Sequence, residues 1–548
     1  MTSDLTPFPA LVSGSALAVL VVTGVVLAPS AEAGPGGAPG RPASTVSLEP
    51  LGTYSGGGFD ESAAEIPAFD PATDRVFVVN AERGTVDVLD ASDPSHLVKV
   101  GELDTPGANS VDVDGGLLAV AEEADVATEA GSVAFVDTAT LRELGRVRVG
   151  ALPDMLTFTP DGRHVLVANE GEPEGYEAGQ VDPEGSISVI AVPRNGVPDQ
   201  ADVRTAGFGA FDDDVDALRA AGVRVFGPGA SVSEDLEPEY VAVDARSRAA
   251  WVSLQEANAL AVVDIATARV TDVLPLGLKD HSLAGNGLDA SDRDGAVDIR
   301  TWPVHGMYMP DSVDAYRARG RTYLVLANEG DAREYDGFEE EVRVKDLELD
   351  PATFGGPDAV AALQADAALG RLTSTVTSPA DADGRVTRID VFGGRSFSIR
   401  DAEGRLVFDS GDDLEQVLAE LVAAGELPRE AFNADNAEND SFDNRSDNKG
   451  PEPEGIEVGS VAGRTYAFVG LERVGGVIVY DITVPSAARF VDYVNVRDFA
   501  GDLAANGTDS GPEGLVFVAA ADSPTGEPLL VVGNEVSGTT TVYRVTGR

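Results

Sequence analysis

Lys449–Ile482, KGPEPEGIEVGSVAGRTYAFVGLERVGGVIVYDI, is the stretch from which the rest of the chain can be read. It opens with an acidic turn holding Glu452 and Glu454 and runs into the apolar-rich segment Gly455–Val458. A second run, Tyr466–Val469, ends in Leu471-Glu472, and after a glycine turn a third covers Val477–Asp481. Short apolar runs bounded by Gly, Pro and Asp are the pattern of β-strands joined in a meander.

The same unit occurs in seven copies, each with an acidic start, strand a, a turn, strand b ending near Glu, and usually strand c. The copies begin at Glu65, Ser110, Asp154, Glu239, Asp311, Glu454 and Glu513. A fourth strand d reads as Leu97–Leu103, Glu143–Val149 and Val270–Leu276 in copies one, two and four. The last copy has none, and Val46–Tyr54 (VSLEPLGTY) resembles the strand d of copy one. These features predict an all-β chain, a seven-bladed β-propeller closed by its N-terminal strand, which leaves few exposed strand edges. Hairpin turns such as Asp70–Asp74, Pro160–Gly162 and Asp244–Arg248 argue against a parallel β-helix.

Composition narrows the function classes. The 548 residues carry a formal net charge of −54, which repels nucleic acid and anionic lipid and attracts cations. There is no Cys, so disulfides and thiolate metal sites are excluded, and the four His (His96, His164, His281, His305) make zinc a poor fit. Ala16–Ala28 is an apolar run too short to span a bilayer, followed by the small-x-small site Ala31-Glu32-Ala33. Residues 1–33 therefore read as a secretory signal peptide, 34–44 as a Gly/Pro-rich spacer and 45–548 as the propeller. The n-region departs from the usual pattern, with Asp4 and no Lys or Arg. No other segment reads as a membrane span and no C-terminal anchor is read, so the expected location is extracellular.

Long insertions fall at about 279–309, 330–394 and 411–449, with a shorter one at Gly171–Gly185. Pro357–Leu369 and Leu414–Val422 within them carry helical patterning. In an antiparallel blade the a-starts, b-ends, b–c loops and d–a loops share one face. Insertions at those joints therefore all decorate that face, which makes it the expected working surface.

The same face collects the acids. The a-start set is Glu65, Asp154, Glu239, Asp311, Glu454 and Glu513; the b-end set is Glu122, Glu170, Glu256, Glu329, Glu472 and Glu535. Such a ring either accepts hydrogen bonds from neighbouring turns or binds Ca²⁺, a hard cation that takes several oxygen ligands. Glu170, Glu329, Glu454, Glu472, Glu513 and Glu535 are the ring candidates. Gly287–Gly295 (GLDASDRDG) adds Asp289, Asp292 and Asp294, although Ala290 and Thr301 exclude an EF-hand. Arg333, Arg473, Lys449 and His305 are candidate contacts for an anion such as phosphate; alternatively Arg333 and Arg473 pair with ring acids. GxSxG, P-loop and HExxH motifs are absent.

Five motifs, His305–Tyr316, Tyr323–Tyr335, Gly393–Asp401, Asn439–Gly455 and Gly511–Leu515, together resemble the choice-of-anchor I domain family. The resemblance covers about residues 44–545. It implies a YVTN/WD40-like seven-bladed propeller on a secreted or surface protein, similar to mesenchyme-specific cell-surface glycoproteins linked to biomineral formation. The leading expectation is a Ca²⁺-binding interaction module meeting an extracellular protein, mineral or phosphorylated small molecule. The alternative is a Ca²⁺-dependent phosphoesterase of alkaline phosphatase or phytase type. A haem or quinone propeller fits poorly, for want of a Cys–His attachment motif and of axial His ligands.

Overall fold

The computed structural model describes residues 46–194 and 196–547. The signal-peptide and spacer readings lie outside the described residues. Among the described residues, no helix is long and apolar enough to cross a membrane.

Among the described residues, seven four-stranded antiparallel sheets carry the fold. In chain order the first strands of the sheets are Pro67–Asp70, Ala108–Asp114, Pro153–Phe158, Val241–Val243, Val313–Ala318, Pro453–Val461 and Pro512–Val518. In the first six sheets the strands lie side by side in sequence order. The seventh is completed from the other end of the chain. Val46–Ser55 pairs antiparallel with Thr539–Gly547, with Leu48 opposite Val545 and Tyr54 opposite Thr540. This is the pairing expected from the missing strand d.

Each sheet packs on the next in sequence. One apolar cluster joins the first and second sheets through Phe77, Val88, Leu118 and Val136. The series continues to a cluster joining the sixth and seventh through Phe468, Val479, Leu530 and Tyr543. A final cluster of Val76, Leu89, Val531 and Val542 joins the seventh sheet back to the first. The neighbour relations therefore form a closed cycle. Middle strands, packed on both faces, read as continuous apolar runs; Arg75–Asn80 is buried from Val76 onward. The outermost strand of the first sheet, Val98–Asp104, keeps the alternation of a strand with one wet face.

The fifth sheet takes its third and fourth strands, Ser396–Asp401 and Leu406–Asp409, from beyond the long insertion at about 330–394. Asp413–Ala424 is a helix that buries Leu414, Val417 and Leu418 and ends at Gly425 with φ 73°, the left-handed turn where glycine is favoured. The other helical pattern is realised only over Pro357–Leu363. One decoration has no counterpart in the sequence reading. Residues 208–240, between the third and fourth sheets, form the short helices Val215–Ala221 and Val232–Asp235. They cover the third and fourth sheets with Phe208, Leu218, Val225 and Leu236. All the long insertions leave from b-ends or d-ends, so they share the face carrying the acidic strand starts.

Candidate functional site: an acidic mouth

The strand starts are built to aim acids inward. Glu454-Gly455 bulges opposite Gly470, Glu513-Gly514 opposite Gly533, and Asp154-Met155 opposite Ala168, each at a register shift just after a proline. A bulge inserts an unpaired residue and re-aims its side chain. Glycine is needed where inner strands meet: a Cβ at Gly455 would collide with the carbonyl of Glu513, and one at Gly533 with that of Glu65.

Four of the a-start acids, Glu65, Asp154, Asp311 and Glu513, line a central cavity of about 160 Å³ together with Asn109 and Tyr240. Burial, then Glu535 and Asp154, push the Glu65 carboxyl up to about 8. Burial and Glu172 push Asp154 to about 7. Burial first, then repulsion from Glu329 and Asp154 on Asp311 and from Asp311 and Glu535 on Glu513, hold both carboxyls well above the usual carboxylate range.

Glu329, Glu454 and Glu472, close enough to repel Asp311, each offer an oxygen within 4.8 Å of the other two. They come from the end of the fifth sheet's second strand and from the start and second-strand end of the sixth. Lys449 Nζ donates to Glu329 Oε1 at 2.5 Å, and Gln255 Nε2 to Glu329 Oε2 at 3.0 Å. Asn436 Nδ2 donates to Glu472 Oε1 at 2.8 Å, and Arg473 Nε lies 3.1 Å from Glu472 Oε2. Glu454 Oε2 is buried and has no hydrogen-bond partner among the described residues. Burial, then Glu329, Asp311, Glu513 and Glu472, hold the Glu454 carboxyl well above its ordinary value. Burial lifts Glu472 to about 8, against the pull of Arg473. Their neighbour Glu452 differs: burial works upward, but Lys449, Arg445 and Arg473 outweigh it and hold the carboxyl down at about 2.

The same three positions in the third and fourth sheets hold Glu170, Glu239 and Glu256. Oε2 of Glu239 and Oε2 of Glu256 are buried without a partner among the described residues. The nearby Arg333 is buried and engaged by Asp235 and by Glu237, the latter at 2.7 Å. Elsewhere on the ring, Glu535 accepts from Ser62 Oγ at 2.7 Å, and Glu122 pairs with Arg146.

The loop aspartates stand apart from this mouth and do not converge. Asp289 accepts from the backbone N–H of Asp298 at 2.6 Å, Asp292 from Arg371 Nε at 2.9 Å, and Asp294 from the N–H of Ala296 at 2.9 Å. Their geometry is that of a loop tied down by its own donors. Three of the residues read as anion contacts are likewise engaged inside the chain: Arg333 with Asp235 and Glu237, Arg473 with Glu452 at 3.0 Å, and Lys449 with Glu329. His305 sits in the strand Val304–Met307, where its Nδ1 is buried without a partner among the described residues. The sequence reading does not name Gln255, although it precedes the ring acid Glu256. Asn436 lies in the Asp/Asn-rich loop Asn433–Asn448, which the sequence marks as a second source of oxygen ligands but whose members look alike until folded.

Comparison with known proteins gives three kinds of match. The profile of the choice-of-anchor I domain matches residues 65–485. Gigasin-3a of Magallana gigas is 32% identical over 203 residues, 34% of this chain and 68% of that protein. The mesenchyme-specific cell surface glycoprotein of Strongylocentrotus purpuratus is 29% identical over 282 residues, 46% of this chain and 35% of that protein. The aligned region is thus about a third of the sea-urchin protein's length. Among solved structures, Kuenenia stuttgartiensis hydrazine synthase aligns over 90% of this chain and 98% of that one, with TM-score 0.45 and 14% identity. A β-propeller domain from Myceliophteria thermophila aligns over 91% and 100%, with TM-score 0.43 and 10% identity.

Proposed function

The chain belongs to the choice-of-anchor I domain family, and from that premise we propose that it is a secreted, seven-bladed β-propeller that binds Ca²⁺ at its acidic mouth and acts as an interaction module. The seven sheets packed in a closed cycle support the blade count. The observation that carries the cation reading is the convergence of Glu329, Glu454 and Glu472 within 4.8 Å, with an oxygen of Glu454 buried and unpartnered. Ca²⁺ takes six to eight oxygens, and carboxylates crowded in a half-buried mouth gain most from a divalent ion. The sea-urchin relative is named a cell surface glycoprotein, which supports an extracellular setting. An extracellular protein or a mineral surface is the proposed partner, with the bound cation as the bridge.

The test is elemental analysis of purified protein, with melting followed in Ca²⁺ and in ionic-strength-matched Na⁺. A ligand that binds only the folded state raises stability by about 2.7 kcal/mol at a hundredfold excess over its Kd, whereas screening responds to both salts. A Ca²⁺-specific rise, lost in Glu454→Gln, supports the reading. Equal shifts with both salts and no bound metal would reduce the acidity to a solubility feature. Hydrolysis of p-nitrophenyl phosphate that depends on Ca²⁺ would favour a phosphoesterase instead. The engagement of Lys449, Arg473 and Arg333 by the chain's own carboxylates weighs against that outcome.

A further inference from the structure

The insertions border a second, partly open cavity of about 500 Å³, whose chemistry is opposite to that of the mouth. Arg219, Arg224 and Arg388 all line it, on a chain where 93 Asp and Glu face 39 Lys and Arg. Two of the three guanidinium groups are neutralised. Arg224 pairs with the buried Glu340, and Arg388 holds Asp390 through two hydrogen bonds of 2.7 Å. Arg219 differs. Its Nε donates to the carbonyl of Val225 at 2.8 Å, and it has no ion-pair partner among the described residues. Arg219 is exposed, no carboxylate of the described residues meets its charge, and the Val225 contact fixes the direction of its Nε–H.

The rest of the lining specifies more than charge. Val225 and Met307 give an apolar wall, while the Asp390 carboxylate, already held by Arg388, and the Thr377 hydroxyl, which accepts from Arg224 Nη2 at 3.2 Å, keep further lone pairs for ligand O–H groups. A cavity of this size suits a small molecule, with an apolar lining and a few placed polar groups that set orientation. An inorganic anion would leave the apolar wall and the Asp390 and Thr377 acceptors unused. A neutral apolar ligand would leave Arg219 unanswered.

We propose that this cavity binds a small hydroxylated organic acid of the sugar-acid type, its carboxylate on Arg219 and its hydroxyls on Asp390 and Thr377. The site is independent of the cation reading, since none of its lining residues belongs to the acidic mouth. The test uses the full chain in EDTA, so that no metal can bridge ligand and protein. Ligand-detected NMR and calorimetry compare methyl β-D-glucuronide with its neutral counterpart, methyl β-D-glucoside. The expected result is binding of the glucuronide, weakened by salt, with the glucoside at least about tenfold weaker. Arg219→Glu, on an exposed helix and away from the core, should abolish glucuronide binding with an unchanged circular dichroism spectrum. Glu454→Gln should leave it intact. Equal binding of both sugars, binding of neither, or full retention in Arg219→Glu would overturn the proposal.

Discussion

Calcium binding at the mouth should be driven against protons, and the structure sets the size of the effect. Burial lifts the Glu472 carboxyl from 4.5 to about 8, so near neutrality the folded chain holds a proton there that the unfolded chain has released. A group raised in this way stabilises most below its unfolded value. The contribution is lost as pH climbs from about 4.5 to about 8, and it is worth at most about 5 kcal/mol at 1.36 kcal/mol per pH unit. Metal-free protein should therefore lose stability over that window. Calcium needs the ionised carboxylate, so one displaced proton weakens its apparent affinity about tenfold for each pH unit below 8, or about a hundredfold at pH 6. Glu454, also held well above its ordinary value, adds a second proton and steepens the dependence. Calorimetry in two buffers of different ionisation enthalpy counts the protons directly. Between one and two should leave per Ca²⁺ at neutral pH, and Glu472→Gln should remove one of them. Equal affinity at pH 6 and pH 8, with no proton release, would refute the reasoning.

Other outcomes follow from the same contacts. Lys449→Met leaves Glu329 without its 2.5 Å ammonium partner and should cost about 3–5 kcal/mol, partly restored by Ca²⁺ but not by Na⁺ in denaturant melts. Arg333→Met strands Asp235 and Glu237 and should cost a similar amount with no rescue by Ca²⁺, which separates a structural cation from a replaceable one. Leu48→Ala, at a side chain 5% exposed in the closing strand, should cost about 2–4 kcal/mol, and deletion of residues 46–55 should expose a strand edge and produce association on sizing columns. N-terminal sequencing of secreted protein should begin at Gly34; a product that retains Met1 would refute the signal-peptide reading.

Much of the architecture was legible because it repeats. The run-and-turn unit around Glu454 marks each sheet, and the absence of a fourth strand after Thr539–Val545 pointed to Val46–Tyr54 as the missing piece. The helix at Asp413–Ala424 showed in its apolar stripe and in Gly425. The 208–240 decoration did not show, because its helices are too short to establish a period. Acids at strand starts and ends could be placed on one face from strand direction alone.

The sequence by itself thus determined the strand pattern, the closing strand and the acidic face, all properties of local periodicity and chain direction. Tertiary structure decided which acids meet. Glu329 of the fifth sheet converges with Glu454 and Glu472 of the sixth, while Asp289, Asp292 and Asp294, neighbours in sequence, turn to separate donors. It also decided which cations are free to act: from sequence Arg333 could either contact an anion or pair with acids and Lys449 was a candidate contact, and the fold holds both on carboxylates, whereas Arg219 has no ion-pair partner among the described residues. The reason is physical. Coulomb interactions and desolvation depend on distance and burial, and for residues on different sheets neither is fixed until the sheets pack.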